Sequence, residues 1–272
     1  MKTIESKLDN GKVTILGGSL GSTFSIYNSC KAAQASGVGL VGAYVPGCCL
    51  IPLESQDVGC RIRSFRSYGS PDAIDEILEH INCFSNCSVL GIGIKEKLDL
   101  KYSFFSPILQ NSKKVLVIDA DLIEVVSQYP KILFKRNNMD VPYILTLNKE
   151  EYFKLFRDSF NDARIQEFSS DSNTYILIKG CNSRLFSPKN ADPEELFEGN
   201  IPKMAVAGMG DLLSGLIGGY VARGFTEREA VIRSFSRRSR SSKKYLKRFP
   251  YAESVSPRDI LEILRRGEDL AD

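Results

Sequence analysis

An α/β fold built on a mainly parallel sheet is the architecture this sequence predicts, and three observations carry it. Short apolar runs alternate with helical patterns along the chain. Those runs are continuously apolar, as expected of strands covered by helices on both faces. Glycines and acids cluster just past their ends, where functional residues of such sheets gather. A hydrophobic content of 43% against 25% charged residues lets 272 residues bury a sizeable core. Neither an internal repeat nor a linker interrupts the pattern, so residues 1–272 read as one domain.

The elements follow in order. Lys12-Val-Thr-Ile-Leu16 is a strand that ends in Gly17-Gly18-Ser19. A helix is predicted over Phe24 to Ser36, stopped by Gly37, and a second strand over Gly39 to Val45, closed by Pro46-Gly47. Pro71 to Asn82 forms a helix with Ser70 as its cap and Pro71 at its first position. Ser88-Val-Leu-Gly-Ile-Gly93 is a strand running into a glycine turn. Lys114 to Asp119 is a buried strand with an acid at its carboxyl end, and Tyr143 to Thr146 is another, leading to a helix that carries Glu150 and Glu151. Asn173 to Lys179 is a strand that ends in a lysine and Gly180.

Lys203-Met-Ala-Val-Ala-Gly-Met-Gly-Asp211-Leu-Leu-Ser-Gly215 is the most informative segment. Leu212, Leu213, Leu216, Ile217, Tyr220 and Val221 recur at helical spacing, and Gly224 marks the stop. A Gly-x-Gly turn opening a helix points free N–H groups, at the positive end of the helix dipole, toward a phosphate or a developing oxyanion. Asp211 at that mouth has the position of a general base for an attacking hydroxyl. The alternative is a glycine-rich turn with an acidic cap. Further on, Arg233 to Lys244 reads as a solvated basic helix face rather than an RNA-binding tract, and Ser256 caps a short helix over Ile260 to Arg265.

Composition narrows the function classes. A net charge of +3 does not argue for nucleic acid. The 7 cysteines form no Cys-x-x-Cys pair and His80 is the only histidine, which disfavours zinc and fits reduced thiols in the cytoplasm. No run is long and apolar enough to cross a membrane, and the amino terminus lacks an apolar signal core.

Together these blocks resemble the ADP- or ATP-dependent NAD(P)H-hydrate dehydratases, the C-terminal domain type of YjeF proteins in the ribokinase-like superfamily. Gly17-Gly18-Ser19 and Ala33-Gln-Ala-Ser-Gly37-Val-Gly39-Leu-Val resemble the family's first blocks. Gly91-Ile-Gly93-Ile is similar to its Gly-Pro-Gly-Leu turn, Asp119-Ala-Asp121 to its Asp-Ala-Asp strand end, and Lys179-Gly180 to its nucleotide loop. Pro202 to Gly215 and Ser256-Pro-Arg-Asp259-Ile complete the ordered set.

The resemblance implies a three-layer α/β/α ribokinase-like fold and an enzyme that repairs NADHX or NADPHX, the hydrated forms of NADH and NADPH. A nucleotide phosphorylates the ring hydroxyl, phosphate leaves, and the double bond returns. It implies Asp211 as catalytic base, and Lys179, Gly180, Cys181, Asn182, Ser183, Gly208 and Gly210 around the nucleotide. Ser25, Gly91, Gly93, Asn148 and Asp211 would meet the substrate. ADP or ATP is consumed with Mg²⁺, which Asp119 would hold through water and Glu151 would help to place; no residue selects between ADP and ATP. Relatives often form symmetric homo-oligomers and often carry an epimerase domain, so a homo-oligomer and a separate epimerase are expected here.

Two blocks depart from the family. Its Pro-His-Pro-Gly-Glu is here Leu147-Asn148-Lys149-Glu150-Glu151, so Asn148, an uncharged amide, stands where a histidine is expected. Its Tyr-Thr-Gly-Ala is here Ser22-Thr23-Phe24-Ser25, and Phe24 would crowd the place of the nicotinamide ring. Asn148-Lys-Glu-Glu151 also reads as the Asn-x-x-Glu of small-molecule kinases, so a hydroxyethylthiazole or sugar kinase is the second expectation. A catalytically decayed nucleotide-binding protein is the third.

Overall fold

The computed structural model describes residues 6–157, 160–180, 182–190, 192–196 and 202–270. The chain opens with β1 (Lys12–Gly17), α1 (Thr23–Ala35), β2 (Leu40–Pro46), the short α2 (Leu50–Glu54) and β3 (Arg61–Phe65). There follow α3 (Pro71–Cys83), β4 (Cys87–Ile92), α4 (Leu98–Asn111), β5 (Val115–Ile118) and α5 (Asp121–Gln128). Next come β6 (Tyr143–Leu147), α6 (Lys149–Phe156), α7 (Asp162–Asp171), β7 (Thr174–Ile178), β8 (Ser183–Phe186) and β9 (Glu194–Leu196). Three helices close the chain, α8 (Met209–Ala222), α9 (Glu227–Arg248) and α10 (Pro257–Arg266).

The strands form one nine-stranded sheet in the order β3-β2-β1-β4-β5-β6-β7-β8-β9. Every pairing from β3 across to β7 is parallel, and β8 and β9 add an antiparallel edge. Successive strand residues point to opposite faces. Val13, Val89, Val117, Ile144 and Leu177 enter one core layer with Ile26, Leu216, Val231 and Ile260 of α1, α8, α9 and α10. Leu16, Leu90, Leu116, Leu145 and Ile176 enter the other with Ile77, Phe104, Leu122, Tyr152 and Ile165 of α3 to α7. This is the expected three-layer α/β/α arrangement, and it explains why the strands read as unbroken apolar runs.

Helix α8 is buried along its length. Gly215 lies where an added Cβ would stand 2.2 Å from the Ser29 carbonyl oxygen, so α8 and α1 pack almost backbone to backbone. That close approach ties the start of α1, with Ser25, to the mouth of α8, with Asp211. The basic stretch in α9 is only in part the solvated face expected from its composition: Arg233, Arg240 and Lys243 are exposed. Arg237 and Arg238 are buried, and Arg237 donates two bonds of 2.7 Å to Asp269 and one of 2.9 Å to the Tyr220 hydroxyl. A guanidinium can be buried when its donors are matched this completely, and here it staples the C-terminal segment to α8.

Candidate active site

The parallel strands deliver four loops to one edge of the sheet, and the N-terminus of α8 faces them. Gly208 caps α8 with φ +89°, a left-handed conformation that favours glycine. Asp211 is the third residue of the helix, in the turn whose N–H groups have no partner inside the helix. Gly210 shows what lies beneath. A Cβ there would be 3.7 Å from both Asp119 Oδ2 and Lys179 Nζ. The helix mouth therefore opens directly over an ion pair.

That pair joins the ends of two strands. Asp119 follows β5 and is 1% exposed, and Lys179 follows β7. Lys179 Nζ donates to Asp119 Oδ1 at 2.8 Å and to Thr146 Oγ1, at the end of β6, at 3.3 Å. The Ala120 N–H also donates to Asp119 Oδ1, at 2.9 Å, and the Ser214 hydroxyl donates to Oδ2. Burial alone would push the Asp119 carboxyl up; the Lys179 charge and the bonds from Lys179, Ser214 and Thr146 outweigh it and hold the group below its usual range. Asp119 is thus an ionised, fully engaged carboxylate.

Asp211 is tuned the opposite way. Burial, and then repulsion from Asp119, raise its pKa to about 6, against smaller opposing effects of the Ser25 hydroxyl bond and Lys179. A carboxyl poised near neutrality, beside the Ser25 hydroxyl and set at a helix mouth, is suited to take a proton from an alcohol.

The glycine turn after β4 forms the floor. Gly91 has φ +105°, and a Cβ there would lie 2.1 Å from the Asp119 carbonyl oxygen. Asp121 Oδ2 accepts the Ile94 N–H at 2.7 Å and so fixes this turn. A Cβ on Gly93 would meet Ser22 O at 3.0 Å and Ser25 Cβ at 3.3 Å, so the turn abuts the start of α1. Phe24 stands at the rim of the mouth. The residue is 53% exposed, its ring stacks on Tyr27 with centroids 6.3 Å apart, and it lies against Gly208.

Asn148 and Glu151 form a capping box on α6. Asn148 Oδ1 accepts the Glu151 N–H at 2.9 Å, and Glu151 Oε2 accepts the Asn148 N–H at 2.7 Å. Burial raises the Glu151 carboxyl, Lys179 opposes, and Asp119 adds to the rise, so this acid too borders the ion pair. In the turn between β7 and β8, Gly180 and Asn182 are exposed. Ser183 is buried, and its hydroxyl closes the turn by accepting the Gly180 N–H at 3.0 Å and donating to the Gly180 carbonyl at 2.9 Å. Cys181 lies outside the described residues.

The structure therefore gathers Ser25, Gly91, Gly93, Asp119, Lys179, Gly208, Gly210 and Asp211 at one mouth, with Glu151 beside it. Sequence reasoning gave no role to Ser214, whose hydroxyl bonds Asp119, or to Thr146, which accepts from Lys179. Ser214 does stand one turn beyond Gly210 on the same helix. Nothing in that spacing shows that it meets an acid 95 residues earlier.

The chain is similar to several known proteins. A family model described as NAD(P)H-hydrate dehydratase (Carb_kinase) matches residues 13–266. A bifunctional NAD(P)H-hydrate repair enzyme, Nnr, of Dictyoglomus turgidum is 30% identical over 240 residues, covering 82% of this chain and 44% of that protein. Its namesake in Methanothermobacter thermautotrophicus is 28% identical over 228 residues, covering 81% of this chain and 43% of the relative. The chain thus spans less than half the length of these curated relatives. The crystal structure of the ADP/ATP-dependent NAD(P)H-hydrate dehydratase of Bacillus subtilis, co-crystallised with ATP/Mg²⁺, superposes with a TM-score of 0.77 at 16% identity, covering 100% of this chain and 94% of that one. At that identity the superposition establishes the ribokinase-like fold. A family model spanning nearly the whole sheet and all three closing helices does more, and by it this chain belongs to the NAD(P)H-hydrate dehydratase family.

Proposed function

We propose that this chain is a nucleotide-dependent NAD(P)H-hydrate dehydratase that restores NADH and NADPH from their hydrates, acting as one domain over residues 1–272. The observation that carries the reading is the position of Asp211, in the first turn of α8 at a mouth that opens over the Asp119–Lys179 pair; burial there raises its carboxyl to about 6.

Asp211 accepts the proton of the ring hydroxyl as that oxygen attacks the terminal phosphorus of ADP or ATP. The O–P bond forms, and the bond to the departing nucleotide breaks. The N–H groups of the first turn of α8 and the Lys179 ammonium stabilise the charge on the phosphoryl oxygens. Phosphate then leaves the ring carbon with the bonding electrons, and the adjacent carbon loses a proton as the double bond returns. Hydroxide is a poor leaving group and phosphate a good one, so a kinase-like site can drive a dehydration.

Gly180, Cys181, Asn182 and Ser183 border the nucleotide in this reading, with Gly208 and Gly210 at its phosphates. Gly91, Gly93 and Asn148 border the substrate. Mg²⁺ fits as a cation delivered with the nucleotide. Among the described residues no group of three or more His, Cys, Asp or Glu side chains could hold a metal alone. Both oxygens of Asp119 are engaged, which leaves it contact through water, while Glu151 Oε1 has no bond to the protein among the described residues. When bound, the cation neutralises phosphate charge. The reaction's nucleotides are cytoplasmic solutes, and a cytoplasmic location follows from the same reading.

Incubation with hydrated NADH, Mg²⁺ and either ADP or ATP tests it. Absorbance of the reduced nicotinamide should recover in step with phosphate release. Release on sugars or thiazole alcohols and none on the hydrate would instead assign a small-molecule kinase, and tight ATP binding with no turnover a decayed enzyme.

A further inference from the structure

A second feature adjoins the catalytic mouth and has no role in the chemistry above. Between α1 and α10 runs an open groove of about 870 Å³, within the range of roughly 300–1,000 Å³ usual for small-molecule sites. One wall is α1, with Phe24, Tyr27, Asn28 and Lys31; the other is α10, with Arg258 and Arg265 among its residues.

Three observations say what this groove would take. Asn28 is 1% exposed, and its Nδ2 has no hydrogen-bond partner. Such a donor is costly to bury unless something accepts from it. One turn on, Lys31 is 7% exposed, and its ion-pair partner, Asp57, is 3.8 Å away with a side chain 96% exposed. With only that distant, hydrated counter-charge and the Tyr27 ring, 5.7 Å away, beside it, this buried ammonium has capacity for a further anion. Phe24 and Tyr27, with planes 12° apart, form an aromatic shelf at the upper end.

Arg258 and Arg265 add two cations with no ion pair among the described residues, whereas Glu262, the other acid of the groove, pairs with Arg266 at 2.7 Å. An orphaned donor, surplus positive charge and a stacking surface together match a diphosphate attached to an aromatic base.

We propose that the groove between α1 and α10 holds the adenosine diphosphate half of the dinucleotide substrate, an assignment that rests on the dehydratase reading. Position separates this ligand from the phosphoryl donor. The groove begins at Phe24 and Asn28, which both face Gly208, and Ser25 on the same helix abuts Gly93 of the mouth. The lysine-bearing turn assigned to the donor follows β7, and β4, β5 and β6 separate β7 from β1, the strand before α1. A dinucleotide with its nicotinamide at Ser25 and Asp211 can therefore run down α1 and meet the donor only at the Gly208 end, where the phosphoryl group is transferred.

The test uses calorimetric titration of the full chain with ADP-ribose while ATP is held saturating, so that the donor site is filled. Lys31→Gln should weaken ADP-ribose by about tenfold or more, the loss a charge-assisted bond carries. Arg258→Glu, on the exposed rim where folding is not at stake, should weaken it by about threefold or more. ATP affinity should stay within about twofold in both, as expected when a charge acts only on its own site. Failure of the wild type to bind ADP-ribose under ATP would overturn the assignment, as would unchanged affinity in both variants or a loss of ATP affinity instead. Repair of hydrated NADH by wild type, with both variants binding ADP-ribose normally, would remove the groove and leave the dehydratase. Lys31-dependent ADP-ribose binding without repair would remove the dehydratase and leave an adenosine diphosphate site.

Discussion

Asp211→Asn should stabilise this protein while disabling it. The Asp211 carboxyl is held at about 6 in the fold, against 3.8 for an unperturbed aspartate. Its folded pKa is raised, so its contribution to stability is fully present below 3.8 and lost as pH climbs through 6. Near pH 7.5 the shift corresponds to about 3 kcal/mol of strain, at 1.36 kcal/mol per unit. Asparagine removes the charge and keeps an oxygen for Ser25, but forfeits about 1 kcal/mol of charge-assisted bonding. A net gain of about 2 kcal/mol should raise Tm by roughly 4–8 °C for a chain of this size. The gain should shrink to about half or less at pH 5, where the folded wild type is already largely protonated. Thermal melts of both proteins at pH 7.5 and pH 5, beside the hydrate assay, provide the check. A variant that melts no higher than wild type at pH 7.5, or a gap that does not close on acidification, would mean that the carboxylate is not held under strain.

Three further outcomes follow from the same geometry. With Asp211 as base, kcat/KM should fall about tenfold per pH unit below about pH 6; a flat profile down to pH 5 would take the proton transfer away from Asp211. Lys179→Met strands the buried Asp119 charge and should cost about 3–5 kcal/mol in urea unfolding, and adding Asp119→Asn should return a large part of it. If the double variant is no more stable than the single one, the pair is not coupled. Gly215→Ala drives a methyl to 2.2 Å from the Ser29 carbonyl, and the separation of α1 from α8 should cost about 1–3 kcal/mol, whereas full stability would show that the helices can part freely.

The sheet was legible because its physics is local. Val115 to Ile118 and Thr174 to Ile178 are apolar enough, and short enough, to be nothing but covered strands. β3 was not legible. Arg61-Ile-Arg-Ser-Phe65 lies at the edge, exposes three of its five residues, and has no apolar run to announce it. Helix α9 misled for a related reason. Its serines and arginines look solvated, but Asp269 and Tyr220 meet Arg237 from distant points in the chain. The same limit applies at the active site. Asp211, Lys179 and Asp119 stood out because a glycine turn or a strand end marks them. Ser214 and Thr146 did not, because a hydroxyl becomes informative only when its partner is known.

The charge balance at the mouth links the base to the cation. Asp119, Glu151 and Asp211 all feel Lys179, and Asp121 adds a further acid that Asp211 also feels. The helix dipole of α8 adds only about half a positive charge. Fully ionised, the mouth would be strongly negative; burial chiefly raises the Asp121, Glu151 and Asp211 carboxyls, and repulsion from Asp119 adds to the rise in each. Nucleotide phosphates would meet repulsion there unless a divalent cation came with them. In the proposed reading, the Asp119 charge that adds to burial in lifting Asp211 also adds to the demand for Mg²⁺. One cannot be relaxed without the other: removing a neighbouring carboxylate should ease the cation requirement and, in the same step, weaken the proton acceptor.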